Sequence, residues 1–271
     1  MVHAIHPVTV LRSFWQHRQL ISQMVKREVA GRYRGSVLGL LWSFFNPVLM
    51  LIIYTFVFSV VFNARWGTEQ ESRFEFALIL FAGLIVYNLF AETINRSPGL
   101  IVGNVNYVKK VIFPLEILPL VTLGAALFHG GISLGVLLLF HLLFSSVLPW
   151  TVVLAPLILI PLLLMTLGFS WLLASLGVFV RDVAQTVALL TTVLLFLSPI
   201  FFPVSAIPEH YRIFIYLNPL TFIIEQMRDV LIWGREPSWQ ALGVYTLVGF
   251  GVAWLGLAWF QKTRKGFADV L

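Results

Sequence analysis

The chain has 271 residues, 59% of them hydrophobic and only 11% charged, with a net charge of +6. Soluble domains carry about 25% charged residues, so this composition excludes a soluble fold. Long unbroken apolar runs replace the alternation of a membrane barrel, which leaves an all-α integral membrane protein. The absence of cysteine excludes disulfides, thiolate metal sites and cysteine nucleophiles.

Residues 1–35 are charged throughout and lack the apolar core of a signal peptide, so the N-terminus is expected in the cytoplasm. Leu11, Phe14, Trp15, Ile21, Met24, Val25 and Val29 form a helical stripe there, with Arg, Lys and Gln elsewhere. This pattern predicts an amphipathic helix in the interface, its basic side toward anionic headgroups. It serves either as a topology-setting anchor or as a sliding helix at the cytoplasmic entrance.

A spanning helix needs about 20 apolar residues. Residues 36–64, uncharged for 29 positions, supply span one. Tyr54, Phe58 and Phe62 are spaced four apart on it, with Phe44 further down the same face. Such a row is an interface belt or core, or a path on which sugar rings stack. Residues 76–95 supply span two, with Glu92 near an interface.

The connection RSPGLIVGNVNYVKKVIFPLEILP is long for two antiparallel helices. Ser97-Pro98 predicts the start of a short helix. With Lys109 and Lys110, that helix either docks a soluble partner or lies in the interface. Residues 117–180 are uncharged for 64 positions, and Pro149-Trp150 divides them into spans three and four. His129 and His141 read as packing residues, without acidic neighbours or a second ligand at metal spacing. Arg181-Asp182 marks a cytoplasmic turn, residues 183–202 a fifth span and residues 237–261 a sixth.

Six spans place both ends on one side. With the N-terminus inside, 13 of the 18 basic residues fall in inside segments, as the positive-inside rule requires. Between spans five and six, Pro199, Pro203 and Pro208 oppose a continuous helix. Asn218-Pro219 reads as an N-cap and first helical position. Leu220, Ile223, Ile224, Met227, Val230 and Leu231 then recur at helical spacing, with Glu225, Gln226, Arg228 and Asp229 on the other face. A shorter helix over residues 210–217 precedes it. Two short helices here form either a hairpin dipping into the outer leaflet, which implies a polar path or a gate, or packing laid flat on the outer surface. The chain lacks a Walker phosphate loop and an H-E-x-x-H pair, and no buried acid pair is apparent, which disfavours an enzyme.

Four stretches carry a family likeness: GRYRGSVLGLLWSFFNPVLMLIIYTFVFSVVF, NYVKKVIFPLEILP, RDVAQ and SPIFFP…LNPLTF. Over nearly its whole length the chain resembles the permease subunits of ABC exporters for cell-surface polysaccharides: lipid-linked O-antigen, capsule or teichoic acid. The resemblance implies one type-2 ABC permease domain over residues 1–271, in the bacterial cytoplasmic membrane with both termini cytoplasmic. It implies a homodimer joined to two ATPase subunits that carry ATP and Mg, with no cofactor on this chain and no nucleic acid. Residues 1–35 would hold the interfacial gate helix, with Phe14, Trp15, Arg18, Lys26 and Arg27. Residues 96–116 would be the coupling region, its helix over residues 100–111, with Asn104, Asn106, Tyr107, Lys109 and Lys110 toward the ATPase. Phe44, Tyr54, Phe58 and Phe196 would line the channel. Residues 199–236 would form re-entrant outer gate helices, with Phe201, Phe202, Glu209, Arg212 and Asn218. The competing readings are an ATPase-independent homo-oligomeric channel or transporter, an ABC permease for drugs or lipids, a membrane transferase, and a purely structural membrane subunit, against which the broken segment argues.

Overall fold

The computed structural model describes residues 7–61, 66, 73–109, 113–145 and 147–271. The described residues contain helices and turns and no strand. Phe62 and Lys110 lie outside them.

Five helical stretches are long and apolar enough to cross a membrane: Gly39–Phe58, Phe74–Gly99, Leu115–Phe144, Trp150–Phe179 and Trp239–Val270. Their α-helical parts are α3 (Trp42–Tyr54), α4 (Arg73–Arg96), α6 (Leu118–Ser145), α7 (Ala155–Phe179) and α11 (Trp239–Thr263). The expected fifth span over residues 183–202 is shorter. It is α8, Val183–Leu197, of 15 residues. At 1.5 Å per residue this is about 22 Å, less than a hydrocarbon core of about 30 Å. The cause is local: Pro199 disfavours helical backbone at the preceding residue, and Ser198 is extended at ψ 147°.

Between Phe76 and Tyr87, α4 is apolar on every side, which marks a stretch buried all round. Its apolar window is 83% buried, against 11% for span one. α3, α6, α7, α8 and the short helix α10 (Pro219–Arg228) surround it. The core around α4 includes Phe76, Leu80, Ile85, Ile223 and Met227, all nearly inaccessible. Span one is irregular. It opens with a 3₁₀ turn at Gly39–Leu41, carries Pro47 inside α3, and widens into a π-helical stretch, Thr55–Val61. Pro47 removes a ladder donor, and π-helical segments occur at functional sites more than elsewhere.

α7 and α11 pack without intervening side chains. A Cβ on Gly168 would lie 2.4 Å from the Val252 carbonyl oxygen, and one on Gly256 would lie 2.0 Å from the Gly168 carbonyl oxygen. Small residues permit this close approach of spanning helices. A second core, with Ile101, Trp171, Phe260 and Phe267, also draws in Phe14, Met24 and Leu271.

The N-terminal stripe forms two helices rather than one: α1 (Pro7–Gln16) and α2 (Arg18–Arg32), interrupted at His17. Of the expected helix over residues 100–111, the described residues form a 3₁₀ turn, Val102–Asn104, and α5, Val105–Lys109, while 110 and 111 lie outside them. Ser97–Gly99 is another 3₁₀ turn, but Ser97 does not cap it. Its hydroxyl donates to the Thr93 carbonyl and pairs with Ser170. The turns expected at Pro149-Trp150 and Arg181-Asp182 are present. Beyond α8 come α9 (Glu209–Tyr216), α10, a π-helical turn at Asp229–Trp233 and, after α11, α12 (Phe267–Val270).

Candidate functional site: an arginine-lined cavity and a proline-broken hairpin

A cavity of about 1510 Å³ opens between α2, α3, α4 and α6. Arg27, Arg32, Arg34 and Arg96 line it, with Glu28 and Glu92, so basic groups exceed acids by two. Asn46, Asn88 and Asn95 add neutral donors and acceptors.

Two ion pairs tie α2 to α4 across this cavity. Arg96 pairs with Glu28, and Arg32 Nη1 lies 2.6 Å from Glu92 Oε1. Glu92 also faces His129 on α6, with Nδ1 3.1 Å from Oε1. His129 therefore has an acidic neighbour, contrary to the expectation that it only packs. The partners are 37 positions apart, and the contact exists only because α4 and α6 are adjacent. Tyr33 meets the His129 ring edge-on at 6.0 Å. Burial raises the pKa of its phenol, opposed by Arg32 and reinforced by Glu92.

The residues expected in the gate helix fall into separate environments. Phe14 stacks on Trp171 at 6.1 Å. Trp15 is exposed, with the Arg18 guanidinium 4.9 Å from its ring centre. Lys26 and Arg27 are exposed, and Arg27 reaches the cavity.

In the expected coupling region, Asn106 and Lys109 point to solvent. Tyr107 stacks on Phe113 at 4.4 Å, and Asn104 donates to the Leu100 carbonyl. These two brace the loop, and both also line the cavity. The loop is clamped to α7 and α11. Arg264 Nη1 lies 2.7 Å from Glu116 Oε2 and its Nη2 donates to the Phe113 carbonyl at 2.7 Å. The Trp171 indole donates to the Glu116 carbonyl at 2.9 Å.

The aromatic row on span one divides. Tyr54 and Phe58 are 6.4 Å apart, and Phe58 stacks on Phe201 at 5.3 Å, with Phe196 6.1 Å from Phe201. Phe44 stands apart, exposed and edge-on to Phe45. Three of the four expected channel residues thus form one cluster with Phe201, while Phe202 is half-buried beside it.

The hairpin is cross-braced. Asn218 caps α10, accepting from the Leu220 amide, and its Nδ2 donates to Ser198 Oγ at 2.8 Å. Arg212 donates to the Ile207 and Ser205 carbonyls, 3.9 Å from exposed Glu209. The expected polar face of α10 is not a solvent face. Gln226 is buried and braces Asp229 and the Ser238 amide. Arg228 is only 1% exposed, with its guanidinium 4.1 Å from the Trp66 ring centre. Burial pulls its pKa down to about 9, opposed by Glu225. Helical spacing put Arg228 on the polar side, yet it follows Ile224 of the apolar stripe by one turn and both meet Gly83 of α4; what covers it, α4 and the end of α8, is invisible to a pattern read along one helix.

Residues 131–135, GISLG, spell the G-x-S-x-G pattern of serine hydrolases, which also requires a strand-to-helix turn. Here it lies inside α6, and the Ser133 hydroxyl donates one turn back to the His129 carbonyl. The described residues hold no group of three metal-ligating side chains.

A bundle of apolar helices, a polar cavity under an amphipathic N-terminal helix and a broken hairpin at the opposite end define a polytopic membrane protein of transporter type. The family model described as ABC-2 type transporter matches residues 19–232, and the chain belongs to that family. It is similar to the O-antigen export system permease protein RfbA of Myxococcus xanthus, 28% identical over 264 residues, 97% of this chain and 99% of the relative. The protein of the same name from Klebsiella pneumoniae is 28% identical over 93% of this chain and 95% of its own length. The polysialic acid transport protein KpsM of Escherichia coli is 24% identical over 90% and 93%.

Proposed function

We propose that the chain is the membrane-spanning permease of an ABC exporter for a lipid-linked cell-surface polysaccharide, O-antigen foremost. The observation that carries this reading is similarity to an O-antigen permease over 97% of this chain and 99% of that relative. The chemistry of the cavity supports it. An excess of arginine among amides suits the anionic linkage of a lipid carrier, and a volume of about 1510 Å³ suits a bulky headgroup.

Two copies form the conduit, with the exposed apolar faces of α3 and α8 turned toward each other or toward lipid. Two ATPase subunits, which carry ATP and Mg, seat on the surface bearing Asn106 and Lys109. Both termini and these loops face the cytoplasm, in the inner membrane. The aromatic cluster of Tyr54, Phe58, Phe196 and Phe201 lines the path, and residues 199–236 close its outer end. ATP binding on the partner favours one conformation over the other and so shifts the closed and open populations.

The test is purification from native membranes in mild detergent, combined with depletion of the chain in cells. A near-stoichiometric Walker-loop ATPase should co-purify, and depletion should trap lipid-linked polysaccharide inside. Lys109→Glu should raise ATP hydrolysed per polymer exported while the complex still assembles. Unchanged surface polysaccharide after depletion would refute the reading.

A further inference from the structure

The hairpin contains a buried cation that no transport step described above uses. The Arg228 guanidinium donates through Nε to the Ile79 carbonyl at 2.9 Å, through Nη1 to the Pro199 carbonyl at 2.6 Å and through Nη2 to the Ile200 carbonyl at 3.1 Å. No carboxylate lies within ion-pair distance of it among the described residues. Its charge is met at contact distance by three carbonyl dipoles and the face of Trp66, with Glu225 acting on it from further off along α10. Burying a charge away from an acid is costly unless every donor is used, so the placement calls for a reason.

The reason lies in where the acceptors are. Pro199 and Ile200 belong to the stretch where α8 has stopped, so their carbonyls have no helical ladder to join. Ile79 sits on α4, the most deeply buried helix. One planar fork therefore joins α10, α4 and the turn that follows α8, a geometry that a lysine ammonium does not match. The next residue, Phe201, stacks on Phe58 in the π-helical stretch of span one. Charge-assisted hydrogen bonds stand on one side of Phe201 and ring contacts with Phe58 and, more loosely, Phe196 on the other, so the ring contacts are the weaker joint.

We infer that Arg228 is the positioning residue of the outer closure: it fixes the peptide that aims Phe201 at Phe58, and the path opens by parting of these two rings while the α4–α10 hairpin body stays whole. This rests on the reading of residues 199–236 as the outer gate. It assigns the seal to one ring pair and the rigidity behind it to one guanidinium.

The absence of cysteine gives a direct test. The permease carrying Phe58→Cys and Phe201→Cys is assembled with its ATPase and treated with a short bis-methanethiosulfonate reagent. Cross-linking should proceed at rest, stop export, and be reversed with recovery of export on reduction. Adding Arg228→Lys should lower the cross-linking rate several-fold at unchanged complex yield. So should Gly83→Ala, whose methyl would stand 2.9 Å from Nη2 and displace the guanidinium while keeping its charge. In proteoliposomes without ATP, Phe201→Ala, Arg228→Lys and Gly83→Ala should each leak a small fluorescent anion several-fold faster than wild type. Phe201→Ala combined with Arg228→Lys should leak no faster than Phe201→Ala alone.

If the cross-link blocks export but Arg228→Lys and Gly83→Ala cross-link at the wild-type rate, the role of Arg228 is overturned and the outer gate stands. If the cross-linked complex exports normally, both fall. Should Arg228→Lys fail to insert, Gly83→Ala decides the matter.

Discussion

Replacing Arg264 by alanine tests how the loop over residues 97–116 is held to the spans. The guanidinium joins the Glu116 carboxylate and the Phe113 carbonyl, each at 2.7 Å. The two charged side chains are only 19% and 11% exposed. Truncation leaves a carboxylate without its cation and a carbonyl without its donor. Breaking a buried pair costs about 3–5 kcal/mol, and the position at a helix end, where water is close, favours the low side, about 3 kcal/mol. At 1.4 kcal/mol per decade, local opening of the loop should rise on the order of a hundredfold. Arg264→Lys keeps the charge but loses the fork, and should cost about 1 kcal/mol. Hydrogen exchange of amides in residues 102–117, on the purified complex in nanodiscs, measures this directly. Accelerated exchange confined to that loop, with α4 amides unchanged, is expected. Wild-type exchange in Arg264→Ala would show that the Trp171 indole and the surrounding core hold the loop without the ion pair, and the reasoning would fail.

Gly168→Ala places a methyl 2.4 Å from the Val252 carbonyl oxygen. α7 and α11 must then separate, at a cost of about 1–3 kcal/mol by analogy with overpacked cores, and the complex should lose thermal stability in detergent; an unaltered melting profile would show that the helices slide freely. Asn218→Ala removes both the cap on α10 and the bond to Ser198 Oγ, together worth about 1–3 kcal/mol. Protease sensitivity of the hairpin should rise, and Asn218→Asp, which restores the capping acceptor, should recover a large part of it.

The features legible in the sequence were those written in neighbouring residues. The Asn218-Pro219 cap, the turn at Pro149-Trp150 and the long spans all follow from local rules, and the structure contains them. Even the early end of α8 was locally encoded, since Pro199 acts on Ser198; reading the apolar run through to residue 202 gave hydropathy precedence over that rule. The Glu92–His129 and Arg32–Glu92 contacts, 37 and 60 positions apart in sequence, were not legible. Arg228 reaches carbonyls 28, 29 and 149 positions away. Helical periodicity identifies a polar side, but whether water, lipid or another helix meets that side is decided by tertiary packing. Phe44 illustrates the converse: its spacing matched Phe58, yet Pro47 lies between them and Phe58 itself sits in the π-helical stretch, so the two are not on one regular face.

α4 carries both halves of this machinery on one rod: Ile79 and Gly83 against the hairpin, Glu92 and Arg96 on the cavity. Each residue of an α-helix advances about 100°, so a single insertion between Gly83 and Glu92 would leave the hairpin seated and swing the cavity's ion pairs toward the wrong neighbours. The rod works as a register mark shared by two distant sites, and its length and phase are fixed together. α3 and α8 carry no such constraint over most of their exposed surfaces. Variation in cargo among exporters built this way can accumulate on those faces while the phase of α4 stays constant.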